Sequence, residues 1–311
     1  NNEDRCVYQS EFDGCPAGTA AVPGLERTCL LEGTYTEDLT LTNDAVYVLN
    51  GGVFIGNKAA EGEPVPENGP TLTIEAGTRL VGSGGSNNAL YIQRGSKIIA
   101  DGLPHAPIVM TGADYAPNAT SGQWGGLVIN GAAPLNTCDS GVCEATGEGD
   151  SGAYGGDDPL DNSGVLRYVR VQFAGEKIND EDELNGIAFQ GGGSGTVVDY
   201  VQVHRNADDG IEFYGGTVNA KHLVLTDIED DSVDWTFGWR GTMNKVVVWQ
   251  GNVKADQGIE ADNDRSVSGR EPVSKPRIFN ATLVGTGDAE SDLGMHLREG
   301  TELFLRNAVL T

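Results

Sequence analysis

The sequence predicts an all-β fold, a right-handed parallel β-helix with an irregular, cysteine-containing cap at its N-terminus. Three observations support this prediction. Glycine makes up 45 of the 311 residues, about twice its usual share, and glycine supplies the positive φ angles of tight corners. Short runs of alternating apolar and polar residues recur at a fixed spacing. No stretch shows a helical pattern longer than about two turns.

The repeat is clearest in the second half of the chain, where the phrases GIAFQGG, GIEFYGG and SVDWTFG follow one another. The first apolar residues of these phrases lie 24 and 22 residues apart, and the next equivalent residue, Ile259, follows after 26. One coil of this kind cannot bury its own inner face, whereas coils stacked at about 4.8 Å share a continuous apolar column. We expect two such inner columns, one of Ile187, Ile211, Val233 and Ile259 and one of Phe189, Phe213 and Trp235.

The chain divides into two predicted parts, a cap at residues 1–33 and a β-helix domain at residues 34–311. The cap holds Cys6, Cys15 and Cys29, for which one disulfide and one unpaired cysteine is the simplest arrangement. The last residues, ELFLRNAVLT, read as an apolar strand whose edge would be open to pairing. We therefore expect further coils, a cap or a partner beyond the last strand.

The remaining cysteines predict a location. Cys138 and Cys143 bracket only four residues, so we expect a local disulfide between them. Disulfides persist in oxidising surroundings, which indicates an exported protein. The net charge of −26 disfavours binding to nucleic acid or to anionic lipid, and no run of 18 apolar residues predicts a membrane-spanning segment.

Long phrases of the chain resemble a known family. They are LTIEAGTRLVGSG, ALYIQRGSKIIADG, GQWGGLVINGAAPLN, DNSGVLRYVRVQFAG and DDSVDWTFGWRG. The family comprises secreted or surface-anchored proteins of Gram-negative bacteria, of hypothetical-protein or lipoprotein type, which are predicted to be right-handed parallel β-helices. The resemblance runs roughly from residue 70 to residue 263. It implies the fold and an exported, cell-surface or outer-membrane location, and it implies no activity.

Acidic residues recur with the coils. On a strand whose isoleucine points inward, the next side chain points outward, so an outward column is expected to contain Ala188, Glu212, Asp234, Glu260 and His296. The corners before these strands add Asp208, Asp209, Asp230, Asp231 and Asp256. Carboxylates about 5 Å apart raise one another's pKa or bind a cation.

Three interpretations of these carboxylates compete. In the first, the corner aspartates hydrogen-bond backbone N–H groups and only shape the turns. In the second, they form a Ca²⁺ site with the ligands Asp209, Glu212, Asp231, Asp234 and Glu260. In the third, paired carboxylates cleave a glycan, with His296 and Arg298 nearby. The chain lacks the Gly-His-Gly and Arg-x-Lys patterns expected of hydrolases with this fold.

Tryptophan and histidine side chains are further candidates for ligand binding. Core packing is the default interpretation of Trp239 and Trp249, and both are also candidates for outward-facing aromatics that stack on sugar rings or anchor a protein. The histidines do not share a register, which disfavours a zinc or copper site; they are His105, His204, His222 and His296.

The functional prediction is a non-enzymatic scaffold or binding module at the cell surface or outer membrane, or in the medium, of a Gram-negative bacterium. It would present a flat acidic face to an envelope protein, a glycan or a cation such as Ca²⁺, or self-associate through its open last coil. The alternative is a polysaccharide-active enzyme, a lyase or glycoside hydrolase, that uses stacked carboxylates.

Overall fold

The computed structural model describes residues 11–84, 87–114, 119–179, 182–251, 254–287 and 293–311. No helix in these ranges has the length and apolar character needed to cross a membrane. The regular structure is β-strand apart from one 3-10 turn at Glu148–Asp150. The strands in chain order are β1 (Ala20–Ala21), β2 (Thr28–Tyr35), β3 (Leu39–Leu41), β4 (Val46–Ile55), β5 (Thr71–Ile74), β6 (Arg79–Gly82), β7 (Ala89–Ile92), β8 (Lys97–Asp101), β9 (Ile108–Thr111), β10 (Gly126–Asn130), β11 (Cys143–Thr146), β12 (Ala153–Gly156), β13 (Gly164–Gln172), β14 (Lys177–Asn179), β15 (Asp182–Glu183), β16 (Ile187–Gln190), β17 (Val197–His204), β18 (Ile211–Tyr214), β19 (Asn219–Thr226), β20 (Val233–Thr236), β21 (Thr242–Trp249), β22 (Glu260–Ala261), β23 (Arg277–Val284), β24 (His296–Leu297) and β25 (Phe304–Leu310).

Parallel pairing between successive coils arranges most strands in three stacks. Stack A contains the ends of β2 and β4, then β7, β10, β16, β18, β20, β22 and β24. Stack B contains β3, β5, β8 and the first halves of β13, β17, β19, β21, β23 and β25. Stack C contains the starts of β2 and β4, then β6, β9 and the second halves of the six long strands. The predicted parallel β-helix is confirmed.

The corner between stacks B and C is made by one residue per coil with positive φ, which the pairing register skips. These residues are Tyr168, Tyr200, His222, Lys245, Asn280 and Asn307, with φ between 49° and 62°. The left-handed conformation is strained for such side chains, and their stacking from coil to coil offsets that strain. The rings of Tyr168 and Tyr200 lie 4.6 Å apart, and those of Tyr200 and His222 lie 4.1 Å apart.

The apolar core runs along the axis of the β-helix. Ile187 pairs with Ile211, Ile211 with Val233, and Val233 with Ile259, so the predicted inner column is present and buried. In the neighbouring column, Phe189 stacks on Phe213 at 5.5 Å between ring centroids. Repetition of the same side-chain size at each level lets the coils pack without gaps.

The N-terminal region contains the short antiparallel pair of β1 with β2, and a disulfide joins Cys15 to Cys29. β2 already pairs in parallel with β4 from Thr28 onward, so the first coil begins inside the segment expected to be a cap. Cys6 lies outside the described residues.

Candidate functional site

An insertion covers the outer side of stack A. Residues 131–163, which we call the cover, connect β10 to β13 and contain the antiparallel pair of β11 with β12. Tyr154 of the cover is buried together with the outward side chains Tyr91, Val128 and Ala188 of stack A. The expectation of a flat, open acidic face is therefore wrong for this stack. The earlier coils carry apolar outward residues, and the cover packs against them.

Polar contacts of Arg94 attach the cover to the β-helix, and a disulfide constrains a loop within the cover. The side chain of Arg94 is fully buried, forms an ion pair with Glu144 at 2.9 Å and donates to the carbonyl oxygen of Gly155 at 3.1 Å. The predicted disulfide between Cys138 and Cys143 is present and closes the loop that leads into β11. The cover is consequently a fixed part of the molecule.

A recess of about 360 Å³ opens between the cover and the last coils. One side is aromatic, with Tyr154, Tyr214 and Phe237. The other side is acidic, with carboxylates from both the cover and stack A, namely Glu148, Glu212, Asp234, Asp262 and Asp264. Gln190 also lines the recess, and its Nε2 atom is buried without a hydrogen-bond partner among the described residues.

Three carboxylates meet in the acidic part of this region. Asp209, Glu212 and Asp234, which we call the trio, place one oxygen each within 4.8 Å of the others. Their exposed fractions are only 7%, 7% and 8%. The predicted register produces this arrangement, because Glu212 on β18 pairs with Asp234 on β20 and Asp209 lies at the corner just before β18.

A buried asparagine organises the trio from the side of stack A. Asn185 is fully buried, and its Nδ2 donates to Glu212 Oε2 at 2.7 Å and to the Tyr214 hydroxyl at 3.1 Å. The Asn185 Oδ1 atom has no hydrogen-bond partner among the described residues. An amide oxygen beside carboxylates adds to the set of oxygen ligands that hard cations prefer.

The protonation of the trio follows from its burial. Burial, followed by the charge of Asp234, holds the pKa values of Asp209 and Glu212 well above the usual carboxyl range. Burial also raises the pKa of Asp234 to about 7, with a further contribution from Glu260 and an opposing one from Arg298. Near neutral pH the trio therefore retains protons unless a cation compensates its charge.

Glu260, the other outward carboxylate predicted as a ligand, has a different environment. Arg298 contacts Glu260 and forms a bidentate pair with Asp262 at 2.8 and 2.9 Å. Burial raises the pKa of Asp262, but hydrogen bonds from Arg298 and Arg265 lower it below its usual value overall. His296 Nδ1 lies 3.9 Å from Glu260. These carboxylates have cationic partners, whereas no ion pair with the trio occurs among the residues that the structure describes.

Asp231, the fifth predicted ligand, lies at the corner. Asp209 Oδ1 accepts a hydrogen bond from the Asp231 N–H at 3.0 Å, and Asp231 Oδ1 accepts one from the Gln257 N–H at 2.7 Å. The structure thus supports the turn-forming interpretation for one oxygen of each aspartate. Asp231 also belongs to a second carboxylate cluster, with Asp230 and Asp256, whose oxygens lie within 4.8 Å of one another.

The two tryptophans predicted as candidate outward-facing aromatics, Trp239 and Trp249, differ in exposure. The prediction that Trp239 faces outward is wrong, since the side chain is fully buried and stacks on Phe213 at 4.0 Å. Trp249 is 58% exposed, but it lies on stack C and not at the recess. Among the described residues, no histidine belongs to a group of three metal-ligating side chains.

Sequence reasoning missed Glu148, Tyr154 and Asn185. The first two lie in the cover, which has no repeat and gives no signal of where it packs. Asn185 precedes Ile187 by two residues, as Asp209 precedes Ile211, so its register pointed to the same corner. Because Asn185 is uncharged, it did not stand out among the acidic corner residues.

The strand stacks and the covered acidic face define a β-solenoid protein with a carboxylate-lined recess. The chain belongs to the family described as the pectate-lyase-like β-helix domain, whose model matches residues 33–311. The crystal structure of the periplasmic alginate epimerase AlgG matches at 9% identity and a TM-score of 0.34, over 91% of this chain and 78% of that chain. At this level the likeness carries no argument about activity. No curated protein sequence matches the chain.

Proposed function

We propose that this chain is an exported, non-enzymatic binding module whose trio holds a calcium ion beside the recess. The observation that carries the proposal is the burial of Asp209, Glu212 and Asp234 within 4.8 Å of one another. No ion pair among the described residues reaches any of the three. Buried charges are paired or bind metals, and a cation fulfils that requirement here.

The residues fit calcium better than magnesium or zinc. Calcium takes six to eight oxygen ligands in flexible geometry, and carboxylates and amide oxygens are its usual protein ligands. The Asn185 Oδ1 atom supplies an unpartnered oxygen beside Glu212. Zinc prefers nitrogen and sulfur ligands, which this cluster does not offer. The ion would neutralise the trio, and the adjoining recess would admit a glycan or a side chain of a partner protein.

Export is supported by the two disulfides, Cys15–Cys29 and Cys138–Cys143, because such bonds persist in oxidising compartments. The resemblance to surface-anchored proteins of Gram-negative bacteria supports the cell surface or outer membrane as the location. An envelope protein or a glycan is the partner that this location offers to the exposed surfaces.

Calcium binding measured by isothermal titration calorimetry tests the proposal. Wild-type protein should bind Ca²⁺, and Asp234→Asn should weaken binding at the trio at least about tenfold, because it removes one charged ligand. Asp13→Asn removes an exposed charge at the opposite end of the β-helix and serves as the matched control. Equal calcium binding by wild type and Asp234→Asn would exclude the trio as the site.

A second candidate function is cleavage of a polysaccharide. It is favoured by the raised pKa of Asp234, about 7, in the same recess as Asp262, whose pKa is lowered. Such a difference is typical of acid and base pairs. Incubation with a panel of acidic and neutral polysaccharides, followed by assay of reducing and unsaturated ends, separates the two functions. Cleavage that Asp234→Asn and Asp262→Asn abolish would establish the enzyme and overturn the binding module.

A further inference from the structure

The corner between stacks C and A carries a second group of carboxylates outside the recess. Asp230, Asp231 and Asp256, which we call the corner cluster, place one oxygen each within 4.8 Å of the others. They come from two successive coils, and the Asp256 N–H donates to the Asp230 carbonyl oxygen at 3.3 Å. The corner cluster shares no residue with the trio, but the two adjoin, because Asp230 also lies within 4.8 Å of Asp208 and Asp209.

A buried carboxamide points at this cluster. Gln257 is only 6% exposed, its N–H donates to Asp231 Oδ1, and its Nε2 contacts Asp256 Oδ1. The Gln257 Oε1 atom has no hydrogen-bond partner among the described residues. The Nε2 contact with Asp256 places the carboxamide group of Gln257 at the edge of the cluster. A buried acceptor without a donor costs free energy unless a ligand satisfies it.

The cluster is open to solvent on one side. A cavity of about 520 Å³ adjoins it, lined by Ala207, Glu229, Asp230, Lys254, Ala255 and Asp256. Lys254 brings one positive charge to a wall that also carries the carboxylates of Glu229, Asp230 and Asp256. The negative charge remains in excess, and the cavity leaves room for a cation that keeps part of its water shell.

We propose that the corner cluster is a second calcium site, with carboxylate ligands from Asp230, Asp231 and Asp256 and an amide oxygen from Gln257. The ligand set is all oxygen, which hard divalent cations require. Ca²⁺ fits this set better than Mg²⁺, because Mg²⁺ demands near-ideal octahedral geometry and gives up water reluctantly. The site ties one coil to the next, so its occupancy fixes the segment that leads from Lys254 into stack A.

Two readouts on the full chain test the second site. Equilibrium dialysis against Ca²⁺ should give about two ions per chain for wild type and about one for Asp256→Asn. Limited trypsin digestion should cleave after Lys254, which is exposed, more slowly in Ca²⁺ than in chelator, and Asp256→Asn should lose this protection.

Glu229→Gln, which removes a charge from the same cavity but lies outside the cluster, should retain both effects. Asp230→Asn repeats the test should Asp256→Asn fail to fold.

The outcomes separate this site from the trio. A wild-type chain that binds one ion, lost in Asp234→Asn but retained in Asp256→Asn, would overturn the corner site and leave the trio as proposed. A single ion lost in Asp256→Asn and retained in Asp234→Asn would support the corner site and overturn the trio. Unchanged stoichiometry and trypsin protection in both Asp256→Asn and Asp230→Asn would contradict the corner site.

Discussion

Asp209 and Asp231 show how one residue type serves both the backbone and the site. One carboxylate oxygen of each accepts the N–H of the residue one coil further on, at 3.0 and 2.7 Å. The acidic corners therefore recur because the backbone recurs. The same side chains also belong to carboxylate clusters. Each carboxylate has two oxygens, so an aspartate that forms a turn with one oxygen can still offer the other to a cation.

The two tryptophans show where alternation stops being a guide to side-chain direction. Strand β20 ends at Thr236, and the next two residues, Phe237 and Gly238, have φ angles of 51° and 88°. This turn interrupts the strand, so alternation along β20 does not by itself fix the direction of Trp239, which lies in the core. Trp249 lies within β21, where alternation holds, and it is exposed as predicted.

Alanine substitution separates the two tryptophans. Trp239→Ala should lower the free energy of unfolding by about 3–5 kcal/mol, because it removes a fully buried ring stacked on Phe213. Trp249→Ala should change it by less than about 0.5 kcal/mol, as expected for an exposed side chain. Urea unfolding of both variants measures the difference. Equal losses would show that the packing assigned to Trp239 is incorrect.

The pKa of the trio carboxylates predicts how stability depends on pH in the absence of calcium. In the fold, burial together with the nearby carboxylates Glu260 and Asp262, partly opposed by Arg298, raises the pKa of Asp234 to about 7. The unfolded chain has a value of about 3.9. The raised pKa contributes stability that is fully present below about pH 4 and is lost as the pH rises through about 7.

Urea unfolding in chelator at several pH values tests this dependence. The free energy of unfolding of the wild type should fall between about pH 5 and pH 8, because deprotonation leaves uncompensated charge in the trio. Asp234→Asn cannot ionise at this position and should show a smaller decline. A wild type that gains stability over the same interval, or a variant with the same slope, would contradict the assigned protonation.

Among the elements, the cover is the part whose position could not be predicted from the sequence. Strand order and register followed from a spacing that returns every 22 to 26 residues and from period-2 alternation, and these fixed Glu212 beside Asp234. Residues 131–163 have no such repeat. Their packing depends on contacts with residues far away in sequence, such as the Tyr91 hydroxyl that donates to the Gly149 carbonyl oxygen at 3.2 Å, and no local pattern encodes these.

The attachment of the cover depends on the buried Arg94, which contacts Glu144 and Gly155. Arg94→Ala should lower the free energy of unfolding by about 3 kcal/mol, because it leaves Glu144, with a side chain 17% exposed, without its cationic partner. Lys275→Ala is the matched control, since its pair with Glu302 has side chains 53% and 55% exposed and should cost less than about 1 kcal/mol. Hydrogen exchange of β11 and β12 should accelerate in the first variant only. Unchanged protection there would show that Arg94 does not hold the cover.

At the scale of the whole molecule, the acidic residues are unevenly compensated. The net charge is −26, yet Asp262 and Glu260 are paired with arginines, whereas the trio and the corner cluster are not paired among the described residues. Self-repulsion of this size destabilises a compact state. Cations bound at these two clusters, as proposed above, would reduce this repulsion.

The thermal midpoint in calcium against chelator, at matched ionic strength, tests whether the folded chain binds Ca²⁺. A ligand that binds only the folded state stabilises it by about 2.7 kcal/mol at a concentration about 100 times its Kd. The midpoint in Ca²⁺ should then exceed that in chelator by roughly 5 °C or more. Sodium chloride at the same ionic strength should not reproduce the shift. An identical midpoint in calcium and in chelator would contradict the account of this protein as a calcium-binding β-helix.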